Sequence, residues 1–207
     1  MSNHSINYKG ILPQAFCFNY HNVRAFVLGA DPSNFSIEGK TTKVLTTVFG
    51  IGEGDARYFS GILTNLKEVG LSFEDIYVQN LVRNYLIFET SKNHAVWLQF
   101  AERWTPALKD EFDSIDKLNK TPVLVTAEVI FRFLNPGMSK YSAREIYVSG
   151  SRENIFSLLQ KTDNPLQRPV IPFYRNLNYK LSKEEFKSYK EFIISILHEI
   201  KQKQYYE

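Results

Sequence analysis

Four short apolar runs, at residues 23–28, 75–82, 122–126 and 169–173, are separated by tens of residues with helical periodicity. Runs of this length between helical patterns read as buried strands. Gaps this long exceed what a hairpin needs and suit crossover connections, so the strands should lie parallel with helices on both faces of the sheet. The predicted fold class is α/β, with a central four-stranded parallel sheet. In such sheets ligands bind just outside the carboxyl ends of the strands. The first run ends there in Gly29-Ala30-Asp31-Pro32-Ser33. Gly29 admits a close backbone approach, Pro32 stiffens the turn, and Asp31 stands where an active-site acid is expected.

The helices announce themselves by spacing. Phe59, Ile62, Leu63, Leu66 and Val69 recur at helical intervals, and Gly70 is placed to end that helix. Trp97, Phe100, Ala101 and Trp104 mark a second helical face. Thr105-Pro106 then reads as an N-cap and a first-turn proline opening a separate helix with Leu108, Phe112 and Ile115 inside. Residues 128–134 and 151–160 read as short helices. A C-terminal helix over 183–203 is expected to open with Ser182 and Glu185 at capping-box spacing. Residues 1–22 form an aromatic arm over the core, and 44–49 allow a short strand. No repeat or linker divides the 207 residues, so a single domain is expected.

Composition narrows the classes. Hydrophobic residues at 43% and charged residues at 23% suit a globular domain. Cys17 is the only cysteine, which excludes an internal disulfide and a cysteine-ligated cluster. No run approaches the ~20 apolar residues of a membrane span, and no secretory signal is read at the N-terminus. A cytoplasmic monomer without membrane contact is expected. The net charge of +3 permits nucleic-acid binding through a local patch. Lys40, Lys43, Arg83, Lys140, Arg144 and Arg168 are candidates for a phosphate-binding rim, although scattered bases also suit any solvated surface. The histidines His4, His21, His94 and His198 show no metal-ligand spacing, and Gly50-Ile51-Gly52-Glu53-Gly54 lacks a third glycine at the spacing of a dinucleotide fingerprint.

The four strand ends offer an ordered set: Gly29-Ala30-Asp31-Pro32, then Phe49 after a polar loop, the helix ending Leu66-Lys67-Glu68-Val69-Gly70, then Asn80, and last Phe173-Tyr174-Arg175-Asn176-Leu177. In order and spacing this resembles the uracil-DNA glycosylase superfamily over roughly residues 23–180. The resemblance implies a three-layer α/β/α fold with strand order 2-1-3-4. It also implies base-excision chemistry on uracil-containing or damaged DNA, without a metal or organic cofactor. It places Asp31 beside the sugar, with Gly29, Ala30, Pro32 and Ser33 around it. Phe49 would stack on the flipped base, Asn80 would read its edge, and Phe173 would stand in the base pocket. Arg175, Asn176 and Leu177 would form the DNA-insertion loop, with Leu177 as the wedge. Three departures are visible: Phe173 stands at the position of the family histidine, Tyr174-Arg175 replace the Pro-Ser that follows it, and Ser33 replaces the tyrosine that usually follows Asp-Pro.

The residue chemistry stands by itself. A carboxylate suits the cationic sugar of a breaking N-glycosidic bond. An amide offers one donor and one acceptor to a pyrimidine edge. Each residue also has a structural reading: Asp31 as a turn cap, Asn80 as a strand-end hydrogen-bonder, Phe49 and Leu177 as core, Arg175 as a solvated loop charge. Loss of the histidine keeps open a nucleic-acid or nucleotide binder that does not cleave, and a hydrolase of free nucleosides is the remoter alternative.

Overall fold

The computed structural model describes residues 6–7, 12–33, 44–53, 57–149 and 154–204. Among the described residues strand β1 (Ile6–Asn7) pairs with β5 (Tyr85–Leu86), antiparallel and apart from the main sheet. The main sheet is built on β3 (Ala25–Gly29), whose five residues are all buried. An apolar strand covered on both faces reads as a continuous hydrophobic run, as this one does. Strand β3 pairs in parallel with β4 (Ile76–Asn80) on one side and with β6 (Val123–Val125) on the other. Strand β7 (Val170–Pro172) continues the parallel set beside β6.

The sheet has five strands rather than four. The fifth is β2 (Phe16–Cys17), drawn from the aromatic arm and antiparallel to β4 through Phe16↔Val78 and Cys17↔Tyr77. Two residues carry no readable period, so only the tertiary fold reveals this strand. Residues 44–49 do not form the short strand their sequence allows. Thr47 makes a single parallel bridge to Gln14, and Val48–Gly50 is a short 3-10 turn.

The described residues contain six α-helices, and they cover both faces of the sheet. On one face Phe26 stacks on Phe112 of α2 (His94–Ile115) at 4.0 Å, and Tyr77 meets the same ring edge-on at 6.0 Å. Alternation turns Gly29 and Asn80 to the opposite face. There Phe49 packs 5.3 Å from Phe59 of α1 (Arg57–Glu68). Helix α6 (Lys187–Gln204) joins α1 through Lys190 and Glu68 at 3.2 Å. Its Tyr189 packs 4.4 Å from Tyr147 of α4 (Ala143–Ser149) and donates its hydroxyl to the Pro172 carbonyl at 2.7 Å. Helix α3 (Glu128–Leu134) sets Phe133 edge-on to Trp97 of α2 at 5.9 Å. Helix α5 (Ile155–Leu159) stacks Phe156 on Phe192 of α6 at 4.3 Å. No helix among the described residues is long and apolar enough to cross a membrane.

Helix α1 ends as its sequence predicts. Gly70 takes φ +71, and Leu71 N–H reaches back to the Leu66 carbonyl at 2.9 Å. Helix α2 does not break where Thr105-Pro106 predicts a new start. Pro106 lies inside one 22-residue helix, and Thr105 Oγ1 donates backwards to the Ala101 carbonyl at 2.7 Å instead of capping. An interior proline costs about 3 kcal/mol. Buried Trp97, Phe100, Ala101, Leu108 and Phe112 form one continuous stripe that offsets it. The capping box expected at Ser182 is also absent. A 3-10 turn at Glu184–Phe186 precedes α6, and Glu185 pairs with Arg144 at 2.7 Å.

Arg168 belongs to the interior and not to a phosphate-binding rim. It is 0% exposed and lies 5.2 Å over the Phe26 ring. Its guanidinium donates to Asp116 Oδ2 at 2.6 Å, to Asp113 Oδ1 at 2.8 Å and to Asn119 Oδ1 at 2.8 Å. Burial pushes the Asp116 carboxyl up, but the Thr121 backbone N–H and the Arg168 charge outweigh it and hold the group below its usual range. Arg168→Met is expected to cost about 1–3 kcal/mol in urea unfolding, because it removes the buried cation that bridges Asp116 and Asp113 while leaving Lys109 on Asp113 and backbone donors on Asp116. The depressed Asp116 carboxyl contributes stability that is full above pH ~4 and is lost as pH falls further. The gap between variant and parent should therefore narrow in acid.

Candidate functional site

The ladder around β3 runs past the strand's end. Leu81 N–H donates to the Gly29 carbonyl at 2.8 Å, and Val82 N–H donates to the Ala30 carbonyl at 2.9 Å. On the other edge Thr126 N–H donates to the Leu28 carbonyl at 3.0 Å, and Arg175 N–H donates to the Thr126 carbonyl at 3.2 Å. Four loops are thereby held at one rim, and Asp31 is the first polar side chain beyond β3 there.

Asp31 sits in the wall of a cleft of about 690 Å³. Its Oδ1 accepts the Ser33 backbone N–H at 2.9 Å, the local turn that Asp-Pro-Ser chemistry favours. Its Oδ2 accepts the Thr90 hydroxyl at 2.6 Å. Burial raises the Asp31 carboxyl above its ordinary range, while the hydrogen bonds from Thr90 and Ser33 and the positive charge of Arg175 oppose that rise. Ala30, Ser33, Phe49, Glu89, Thr90, His94, Glu128, Arg132 and Arg175 also line the cleft.

A smaller recess of about 30 Å³ opens behind it, lined by Asp31, Pro32, Ser33, Leu45, Phe49, Asn80 and Arg175. Gly29 is required here. A Cβ at this position would stand 2.1 Å from Asn80 Oδ1 and 2.7 Å from Phe49 Cζ. Phe49 itself holds a left-handed backbone, φ +58, in which an aromatic residue is strained. Asn80 is 2% exposed, and its Oδ1 is buried without a hydrogen-bond partner. A buried carbonyl oxygen left unmet costs about 1–3 kcal/mol. Such costs persist where function requires them.

The structure thus brings together Asp31, Pro32, Ser33, Phe49, Asn80 and Arg175, with Gly29 and Ala30 beneath them. It does not bring Phe173 to either cavity. That residue is 0% exposed, and its N–H extends the β6 ladder at 2.8 Å to Val125, which turns its ring into the core. Tyr174 is also buried, its N–H bound by the Tyr147 hydroxyl at 2.8 Å. Asn176 lies outside both cavities and uses its side-chain oxygen to cap the turn Leu177–Tyr179 through Asn178 N–H at 2.9 Å. Leu177 projects from that turn with 64% of its surface exposed. Of the other candidate rim bases, Arg83 pairs with Glu111 on the α2 face, Arg144 pairs with Glu185, and Lys140 lies over Tyr141. Lys40 and Lys43 lie outside the described residues.

Glu89, Thr90 and His94 were not legible as site residues. The segment joining β5 to α2 has no period, and its one local signal, Asn93 as the α2 cap, marks only a helix start. Among the described residues no group of three or more His, Cys, Asp or Glu side chains is arranged to hold a metal ion.

Two outcomes follow from this geometry. Gly29→Ala should displace Phe49 or Asn80 and lower stability by about 1–3 kcal/mol in urea unfolding. Asp31→Asn should raise the melting temperature at pH 7. A carboxyl raised in the folded state loses stability as pH climbs from its unfolded value near 3.9 through its folded one. The gain should therefore vanish below about pH 4.

Comparison with protein-family models, with curated proteins and with solved structures finds no match to this chain.

Proposed function

We propose that this protein hydrolyses an N-glycosidic bond, excising uracil or a related damaged base from DNA in the manner of the uracil-DNA glycosylases it resembles. One observation carries the reading: the buried, unpartnered Oδ1 of Asn80 in a recess that Phe49 and Asp31 also line. An unmet buried acceptor on a residue lining a recess asks for a ligand N–H. The carboxamide beside it offers a donor as well, which matches the imide edge of a uracil-like base. Phe49 supplies a π-face, worth about 1–3 kcal/mol in base stacking. The four parallel strands, numbered along the chain, run second, first, third, fourth across the sheet, which agrees with the resemblance.

The chemistry divides among these groups. As the bond breaks, its electron pair leaves with the base and positive charge grows at the sugar carbon. The Asp31 carboxylate stabilises that cation and orients the water that adds to it, one water proton going to solvent or to the departing base. Asn80 holds the base edge, and the Arg175 cation lines the same recess, where it offsets the negative charge. Exposed Leu177 next to Arg175 suits an apolar wedge entering a base stack. The recess now holds about a water's volume, so base entry requires its walls to part.

A second reading follows from the cleft's charges. Glu89 and Glu128 line it, and Arg132 is engaged with Glu128 at 2.8 Å. Carboxylates accept from sugar hydroxyls and repel phosphates, which suits a free nucleoside.

The test is incubation with uracil-containing single- and double-stranded oligonucleotides and, separately, with uridine and deoxyuridine. Abasic sites are revealed by alkali and released base by chromatography. Base release from the oligonucleotide that falls at least about a hundredfold in Asp31→Asn is the expected result. Release only from free nucleosides replaces it with the second reading. Retention of the oligonucleotide with no base released would make the fold a non-cleaving binder.

A further inference from the structure

We infer that Thr90 is a positioning residue for Asp31: its hydroxyl, delivered by the segment between β5 and α2, fixes the carboxylate's orientation at the cleft wall. The contact joins groups 59 residues apart in the chain, with Thr90 Oγ1 donating to Asp31 Oδ2 at 2.6 Å. That length lies in the range of charge-assisted O–H···O⁻ bonds. The delivering segment is pinned twice before it reaches Asp31. Leu86 N–H donates to Ser33 Oγ at 2.8 Å, and the Tyr85 hydroxyl donates to the Leu45 carbonyl at 3.1 Å. Thr90 therefore arrives on a fixed strap. With Ser33 N–H on Oδ1 and Thr90 on Oδ2, both oxygens are held, and rotation about the terminal torsion is opposed.

The bond also favours the ionised form. Burial opposes charge on Asp31, and the hydrogen bonds from Thr90 and Ser33 and the charge of Arg175 counter it. The other titratable groups facing the cleft are Glu89, His94, Glu128 and Arg132. The catalytic meaning of this role rests on Asp31 being the acting carboxylate, but the contact is tested without substrate.

The experiment follows the ¹³C carboxyl resonance of Asp31 through a pH titration in the parent, Thr90→Val and Thr90→Ser. Thr90→Val keeps the shape and removes the donor, and it should raise the Asp31 midpoint by about one pH unit. Thr90→Ser keeps the donor and should restore the parental midpoint. An unchanged midpoint in Thr90→Val with a native backbone spectrum overturns the inference, as does Thr90→Ser behaving like Thr90→Val. Thr90→Ala gives the same reading if Thr90→Val does not fold. Absence of base release by the parent protein would sink the glycosylase reading and leave the titration result standing. With activity present, the acid limb of kcat/KM should move with the midpoint.

Discussion

The hydrogen-bond ladder along both edges of β3 fixes the positions on which the rest of the molecule depends. Because it continues past Gly29 into Ala30 on one side and reaches Thr126 on the other, from which the next ladder takes in Arg175, the loops after four strands are set as one rim. Parallel pairing does this without help from the loop sequences. Each strand is aligned by backbone donors and acceptors, and the first side chains beyond the ladder are placed as a by-product. Asp31 inherits its position from a buried strand in which all five residues are enclosed.

Local conflicts gather at that rim. Phe49 carries a left-handed backbone, Asn80 an unmet acceptor, and Asp31 a carboxyl that burial raises. The three share one recess, and Phe49 and Asn80 meet over a glycine where no Cβ fits. Consistency between local preference and global fold is the rule in proteins, and clustered violations mark function. Other buried polar groups sit in networks. Arg168 joins Asp113, Asp116 and Asn119 at the sheet face, and Glu111 collects Tyr77, Gln79 and Arg83 on the α2 side. Those networks hold structure together, although Arg168 Nε and Arg83 Nε are also buried without a partner. The unmet oxygen of Asn80 differs in belonging to a residue that lines a recess.

The cleft's charge bears on substrate choice. Asp31, Glu89 and Glu128 contribute three carboxylates, against the guanidiniums of Arg132 and Arg175. A polyanionic backbone seated among these side chains would meet more repulsion than attraction, so DNA would have to be held from the outer rim while only a flipped nucleotide enters. A free nucleoside faces no such constraint. The same walls thus serve both readings at the sugar and differ only in what surrounds it.

The amino-acid sequence alone determined the alternation of apolar runs with helical stripes. That alternation makes the sheet largely parallel and puts the Asp31, Asn80 and Arg175 segments at strand ends. Those features were legible because periodicity and glycine–proline punctuation are local properties. Tertiary structure decided the remainder. It recruited Phe16–Cys17 as an antiparallel edge strand, ran α2 through Pro106, buried Arg168 and Phe173, and brought Thr90 to Asp31. None of these outcomes has a local cause. A two-residue strand is stabilised by its neighbour, a helix survives a proline when packing outweighs it, and a hydroxyl 59 residues away meets a carboxylate only when the chain between them has folded.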